Sequence, residues 1–141
     1  MLLLDTNVVS QLRYDSDTGS GVRAFLDRAE RGGQTTYIAA PTLGEIRRGA
    51  ALPRLRGDVR YADKLDAWVA EMEAKFAERI IPFNAECANV WGLMLAPRAD
   101  HLIDKQIAAT AIVYNLGLVT RNTRDFQGYG LTLINPFTKT H

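Results

Sequence analysis

The stretch Leu2-Leu3-Leu4-Asp5-Thr6-Asn7 decides the fold, because it sets a short apolar run directly against an acid. An apolar run of this length that closes on polar residues is typical of a strand buried on both faces, in the middle of an α/β sheet. Ligands of open parallel sheets bind beyond the carboxyl ends of the strands, so Asp5 is a functional-site candidate by position. The same residue could instead cap the helix that follows, and this stretch alone does not separate the two interpretations.

Length and composition predict one globular domain over residues 1–141. The chain has 141 residues, of which 47% are hydrophobic, and a formal net charge of +1, so any contact with nucleic acid must come from a local basic patch. The single cysteine, Cys87, excludes an internal disulfide and a cysteine-rich zinc site, and it fits a reducing compartment. The apolar start is too short for a signal-peptide core. We therefore expect a cytoplasmic protein that does not bind membranes.

Apolar runs and helical periodicities alternate along the chain, which predicts an α/β fold with a mainly parallel central sheet of four or five strands. Residues 15–21 form a turn-rich loop in this scheme. The predicted strands are residues 2–4, 35–40, 79–83, 118–120 and 131–134. The predicted helices are residues 8–13, 22–31, 42–52, 61–79, 85–95 and 103–116.

Four boundary signals accompany these helices. Thr42 and Glu45 have the spacing of a capping box, so Glu45 could serve as a cap rather than as a functional acid. Pro53 is expected to end the helix that they begin. Asn84 is a favourable N-cap, and Gly117 is expected at the position after the C-cap of the helix before it.

A local excess of arginine occurs between residues 41 and 60. Arginine at this density suits phosphate recognition, although a solvated helix face or a partner's acidic groove would use the same residues. The two that we select as contacts for RNA or for a protein partner are Arg47 and Arg48. The full set is Arg47, Arg48, Arg54, Arg56 and Arg60.

The longest predicted helix carries an apolar stripe of large side chains. Such a stripe is usually part of the core, and in a small α/β domain part of it, or of the helix before it, could instead form a dimer or partner surface. Its members are Leu65, Trp68, Val69, Met72 and Phe76.

Four acids are expected to converge at one edge of the sheet. Asp5, Glu45 and Asp125 lie at or just after strand ends, and Asp104 lies in the first turn of a helix. Carboxylates brought together repel one another and remain ionised only around a hard cation, which predicts Mg²⁺ or Mn²⁺. One or two such ions can bind a phosphodiester and stabilise its leaving oxygen. With only two histidines in the chain, a histidine-rich zinc site is not favoured.

Five stretches, in this order and spanning nearly the whole chain, resemble the PIN-domain family, and more narrowly the VapC-type toxins of bacterial toxin–antitoxin pairs in their FitB-like branch. No single stretch would be specific, but five in sequence are. They are Leu3-Leu4-Asp5-Thr6-Asn7-Val8-Val9-Ser10, Gly44-Glu45-Ile46-Arg47-Arg48-Gly49, Asp104 with Ile107-Ala108-Ala109-Thr110-Ala111, Val119-Thr120-Arg121-Asn122-Thr123-Arg124-Asp125-Phe126, and Ile134-Asn135-Pro136-Phe137.

The resemblance implies a three-layer α/β/α sandwich and a metal-dependent endoribonuclease of a type II toxin–antitoxin pair. It also implies a homodimer and a cognate antitoxin whose tail enters the acidic pocket. The implied catalytic and metal-binding acids are Asp5, Glu45, Asp104 and Asp125. The implied polar groups that hold these ligands or contact RNA are Thr6, Asn7 and Asn122, since hydrogen bonds from neighbours orient ligating carboxylates.

Three alternatives accompany this interpretation. Asp100 lies four residues before Asp104 and could supply a ligand if the helix starts early; the small-residue run that follows Asp104 favours Asp104. A haloacid-dehalogenase-like phosphatase also begins with an acid after an apolar strand, but it needs a second aspartate two residues on, where this chain has Asn7. A non-catalytic PIN-like module that only binds RNA or protein is the alternative from another functional class.

Overall fold

The computed structural model describes residues 1–14 and 21–137, and strands alternate with helices along both ranges. The predicted loop at residues 15–21 lies outside these ranges except for Gly21. The strands are β1 (Leu2–Leu4), β2 (Thr36–Ala39), β3 (Ile80–Ile81), β4 (Gly117–Val119) and β5 (Leu133–Ile134). The helices are α1 (Thr6–Gln11), α2 (Val22–Arg31), α3 (Ala40–Leu55), α4 (Val59–Lys75), α5 (Ala85–Leu95) and α6 (Leu102–Tyr114), with 3-10 helices at Leu12–Tyr14 and Thr123–Phe126.

The five strands form one sheet in the order β3-β2-β1-β4-β5, and every neighbouring pair is parallel. This confirms the predicted parallel sheet. β1 lies at its centre, where Leu3 pairs with Tyr37 of β2 on one side and with Leu118 of β4 on the other. The carboxyl ends of β1, β2 and β4 therefore share one edge of the sheet, and Asp5 begins the connection from its middle strand.

Alternate residues of the central strands pack on opposite faces of the sheet. Leu2, Leu4 and Val119 belong to one apolar cluster, which helices α1 to α4 also line. Leu3 and Leu118 belong to a second cluster, with residues of α6. Burial on both faces accounts for the continuous apolar run of β1. Within the described residues, no helix combines the length and apolar character needed to cross a membrane.

Helix α3 begins earlier and ends later than predicted. It starts at Ala40 with Pro41 in its first turn, so Thr42 is already helical and buried, and the predicted capping box of Thr42 and Glu45 is wrong. The prediction that Pro53 ends the helix is also wrong, because the helix continues to Leu55 with Pro53 inside its last turn. Proline has no N–H to donate within the helix, and its carbonyl accepts hydrogen bonds from the backbone N–H groups of residues 56 and 58, where the helix ends.

Of the two other predicted helix boundaries, the Asn84 N-cap is confirmed and the position of Gly117 is wrong. Asn84 caps α5, since its side chain accepts a hydrogen bond of 3.0 Å from the Cys87 N–H. Gly117 does not follow a C-cap: Asn115 adopts the left-handed conformation at the end of α6, with φ 55° and ψ 51°. Gly117 instead begins β4, where an added Cβ would lie 3.1 Å from a methyl carbon of Leu2. The glycine therefore serves close strand packing.

The apolar stripe of α4 is core and does not form an outer surface. Leu65, Val69, Met72 and Phe76 are buried in the first cluster, and Trp68 packs against it while partly exposed. The alternative that this stripe forms a dimer or partner surface is therefore wrong for these four residues. The reason is that α4 packs together with α3 on the sheet face lined by Leu2, Leu4 and Val119.

Candidate active site

Asp5 is the centre of the candidate site and is 2% exposed. It precedes α1 and caps it, since its Oδ1 accepts a hydrogen bond of 2.8 Å from the Thr6 N–H. Its Oδ2 accepts one of 2.7 Å from the Thr120 hydroxyl and one of 3.2 Å from the Asn7 amide. The capping interpretation thus holds, and it engages only one of the two carboxylate oxygens.

The pKa of Asp5 is raised from 3.8 to about 6. Burial is the largest cause, because a charged carboxylate loses its hydration there. The hydrogen bonds from Thr120 and the Thr6 N–H oppose the rise, while the negative charges of Asp104 and Glu45 add to it. The pKa therefore reports that two of the predicted acids lie close enough to Asp5 to repel its charge.

Thr120 connects the ends of β1 and β4. It is fully buried, and its hydroxyl oxygen, besides donating to Asp5, accepts a 3.0 Å hydrogen bond from the Asn122 N–H. Asn7 adds a second connection, because its Oδ1 accepts a 3.2 Å hydrogen bond from the Arg121 N–H. Side chains and backbone of both connections therefore hold the Asp5 carboxylate in one orientation.

Glu45 lies in the second turn of α3, and its partner is Thr6. The Thr6 hydroxyl donates a 2.5 Å hydrogen bond to Glu45 Oε1, and its oxygen lies 3.2 Å from the hydroxyl oxygen of the buried Thr42. Since Thr6 follows Asp5 directly, this bond ties the α3 acid to the start of α1. Thr6 therefore lies between two of the four acids.

Asp104 and Asp125 form the outer part of the cluster. Asp104 lies in the first turn of α6, as expected, and its pKa is raised by partial burial and by the charge of Asp125, while His101 lowers it. His101 Nδ1 is 4.0 Å from Asp104 Oδ2. Asp125 lies exposed in the 3-10 helix after β4. Electrostatic coupling therefore runs from Glu45 through Asp5 and Asp104 to Asp125.

Asp100 is engaged elsewhere. Its Oδ1 accepts a 2.8 Å hydrogen bond from Lys105 Nζ, and its Oδ2 lies 2.6 Å from Arg98 Nε. The hydrogen bond from Lys105 is the main cause that lowers the pKa of Asp100. Two cations already neutralise this carboxylate, so Asp104 remains the better candidate ligand.

The arginine patch divides into engaged and free members. Arg47 lies 3.8 Å from Asp66 and 3.9 Å from Glu73, and Arg54 bonds Asp63 and Asp66 at 2.8 and 2.7 Å, all on α4. Arg48 is exposed and forms no ion pair with any residue that the structure describes. Much of the local basic excess therefore balances the acidic face of the neighbouring helix.

The four acids fit a hard cation by their chemistry. All the donors are carboxylate oxygens, and within residues 1–14 and 21–137 no lysine or arginine forms an ion pair with any of them. No three histidine, cysteine, aspartate or glutamate side chains in the same ranges are grouped tightly enough to hold a metal as they stand.

Sequence reasoning missed two residues of this site. Thr120 ends β4 as Asp5 follows β1, so the pattern of polar residues at strand ends contained a signal for it. Thr42 was assigned to a cap, whereas it packs under Thr6. Its burial depends on where α3 begins, and the local sequence does not determine that point.

The chain is similar to known proteins over nearly its full length. A PIN domain matches residues 2–130. VapC ribonuclease Y4jK of Sinorhizobium fredii is 30% identical and is matched over 97% of this chain and 98% of its own; Toxin FitB of Neisseria gonorrhoeae is 32% identical over 97% and 99%. The crystal structure of FitAcB from Neisseria gonorrhoeae superposes with a TM-score of 0.79 at 29% identity, covering 96% of this chain and 98% of that one. This protein belongs to the PIN domain family.

Proposed function

We propose that this protein is a metal-dependent endoribonuclease and the toxin of a toxin–antitoxin pair. The observation that carries the proposal is Asp5: a buried carboxylate whose pKa is raised to about 6, beside Asp104 and Glu45, with no cationic partner among the described residues. A site built this way is unfavourable by itself and becomes favourable when a divalent cation enters. The name ribonuclease of one relative and the name toxin of another support the same function.

The side chains have distinct parts in this proposal. Asp5, Glu45, Asp104 and Asp125 would hold Mg²⁺ or Mn²⁺, which supplies charge stabilisation to the phosphodiester and to its leaving oxygen. Thr120 and Asn7 orient Asp5, and Thr6 orients Glu45, through the hydrogen bonds described above. Asn122 supports Thr120 through its backbone, and its exposed side chain is available to the RNA.

A metal-dependence experiment tests the proposal directly. Purified protein, free of any partner, is incubated with total cellular RNA in Mg²⁺, in Mn²⁺ and in chelator. We expect cutting with either metal and none with chelator. Folded protein that cuts no RNA in any condition would contradict the proposal and would favour the alternative of a non-catalytic binding module. The absence of a tight three-ligand group among the described residues also favours that alternative.

The partner proposal follows from the same family resemblance. We propose a cognate antitoxin that binds near the acids, and a homodimer as the form of the free toxin. Light scattering of the protein purified alone tests the homodimer, and co-expression with the protein encoded beside it, followed by purification, tests the complex. A monomer that forms no complex with that protein would contradict both parts.

The arginine patch carries a separate prediction. Arg48→Ala is expected to weaken the binding of RNA or antitoxin about threefold and to reduce the slope of affinity against salt by about one, because a free guanidinium can neutralise a phosphate or an acidic side chain. Arg47→Ala is expected to have a smaller effect, since Asp66 and Glu73 already balance its charge. Affinities are measured in chelator across a salt series.

The control for this series is Arg28→Ala, an exposed arginine on α2. Equal affinity and equal salt dependence for wild type and for both patch variants, with both partners, would show that the patch does not take part in binding.

A further inference from the structure

A second feature adjoins the four acids: a cleft of about 590 Å³ between α5, α6 and the 3-10 helix Thr123–Phe126. Asp104 and Asp125 line it and belong also to the candidate active site. A group bound in this cleft would therefore lie directly beside a phosphate held by the acids. The cleft is therefore a continuation of the candidate active site.

One wall of the cleft is apolar. Leu93, Met94, Phe126 and Tyr129 line it, and Phe126 is buried. Leu93 is 76% exposed, a large apolar side chain left in water at the rim of a cleft. Met94 and Tyr129 pack on the second apolar cluster, which holds them in place. A flat apolar surface with an aromatic ring suits the face of an unstacked base.

Three further residues of the lining, Arg98, Asp100 and Lys105, are charged and contact one another. Lys105 is 8% exposed, and its Nζ donates a 2.7 Å hydrogen bond to the Arg98 carbonyl oxygen in addition to its bond with Asp100. Arg98 in turn contacts Asp100 through Nε and is otherwise 82% exposed. Arg98 and Lys105 therefore both pair with Asp100, and the Arg98 side chain stays exposed in the same cleft as Asp104 and Asp125. An exposed guanidinium next to apolar and aromatic side chains suits the phosphate and the base of a nucleotide.

We propose that this cleft binds an unpaired nucleobase of the RNA strand, adjacent to the phosphodiester that is cut. The proposal rests on the proposed ribonuclease function, and it assigns sequence or loop recognition to Leu93 and Tyr129. The base packs against Tyr129 and the rim leucine, and Arg98 faces the neighbouring phosphate. Substrates with a flexible single-stranded position at this point are accordingly preferred to continuous duplex.

The test measures binding without cleavage. In chelator, strands retained by wild-type protein are selected from a random pool of short single-stranded RNA, and the affinity of one retained strand is measured by fluorescence anisotropy. The same strand is then made with an abasic residue at each position in turn. Leu93→Ser and Tyr129→Ala are compared with Leu55→Ser, a matched control because Leu55 is 83% exposed at the end of α3 and does not line the cleft.

We expect Leu93→Ser and Tyr129→Ala to weaken binding about five- to tenfold, consistent with the loss of a stacked base, and Leu55→Ser to match wild type. At one position of the strand, the abasic residue should weaken binding to wild type by the same five- to tenfold. At that position it should not weaken binding to either cleft variant any further, because the contact is already lost. Leu93→Ser changes only a surface residue, so the test does not depend on the folding of Tyr129→Ala.

Several outcomes would overturn this inference: wild type that retains no strand, cleft variants that bind like wild type, or a loss that is equal at every abasic position. Variants that lose antitoxin affinity but keep RNA affinity would assign the cleft to a peptide instead. Wild-type protein that binds RNA as expected but never cuts it with metal would contradict the proposed ribonuclease and leave the base-binding cleft standing.

Discussion

Replacing Asp5 or Asp104 by asparagine is expected to lower RNA cleavage by purified protein about 10³-fold or more. Each change keeps nearly the same side-chain volume and removes one negative charge from the group that would hold the cation. Asp5→Asn also retains an acceptor for the Thr6 N–H, and the Thr120 hydroxyl can rotate to accept from the new amide, so that only the weaker 3.2 Å hydrogen bond from the Asn7 amide is lost. The fold should therefore persist while the chemistry is lost.

Initial rates on total cellular RNA in Mg²⁺ measure this effect, with Asp27→Asn on α2 as the matched control. Asp27 is an exposed aspartate outside the candidate site, so its variant should cut at the wild-type rate. RNA affinity in chelator shows whether each variant still binds. If both Asp5→Asn and Asp104→Asn cleaved RNA at wild-type rates, these acids would not be the catalytic ones.

The second large effect concerns stability and has the opposite sign. Asp5→Asn is expected to raise the free energy of unfolding of the metal-free protein by about 2–3 kcal/mol at pH 7. The folded-state pKa of Asp5 is about 6 and its ordinary value is 3.8, so the folded protein binds the proton more tightly than the unfolded chain. The stabilising contribution of the protonated form is complete below pH 3.8 and is lost as the pH rises through 6. Above pH 6 the ionised carboxylate costs the folded state about 3 kcal/mol, at about 1.4 kcal/mol per pH unit.

Urea unfolding in chelator at pH 4 and pH 7 checks the sign. The difference between variant and wild type should be large at pH 7 and small at pH 4, where the folded wild type already carries the proton. Added Mg²⁺ should stabilise wild type at pH 7 and have little effect on Asp5→Asn, because a ligand stabilises only the state that binds it. Equal unfolding free energies at pH 7 in chelator would mean that the Asp5 charge does not oppose folding.

The sequence alone determined the order of the elements and the candidate acids. The run of three leucines before Asp5 predicted a strand buried on both faces, and Leu3 does pack on one face while Leu2 and Leu4 pack on the other. Alternation of strands with helices predicted the parallel sheet. These features follow from burial and periodicity, which are properties of short segments and can be seen in the residues themselves.

Only the tertiary structure decided which side chains support the acids. Thr120 bonds Asp5 across 115 residues of sequence, because β1 and β4 are neighbours in the sheet. No local pattern contains that pairing. The same holds for the hydrogen bond of Thr6 with Glu45, which depends on where α3 begins. Because α3 begins at Ala40, Thr42 lies inside the helix and the predicted capping box does not form.

The charges show the same division most clearly. In the sequence nothing separates Arg47 from Arg48, and only the small-residue run after Asp104 separates Asp104 from Asp100. In the structure Arg47 faces the acids of α4 while Arg48 forms no ion pair within the described residues, and Asp100 pairs with Lys105 and Arg98 while Asp104 faces Asp125. The sequence supplies the ionisable groups, but the packing of one helix against another sets the distances between them, and electrostatic energy depends on those distances.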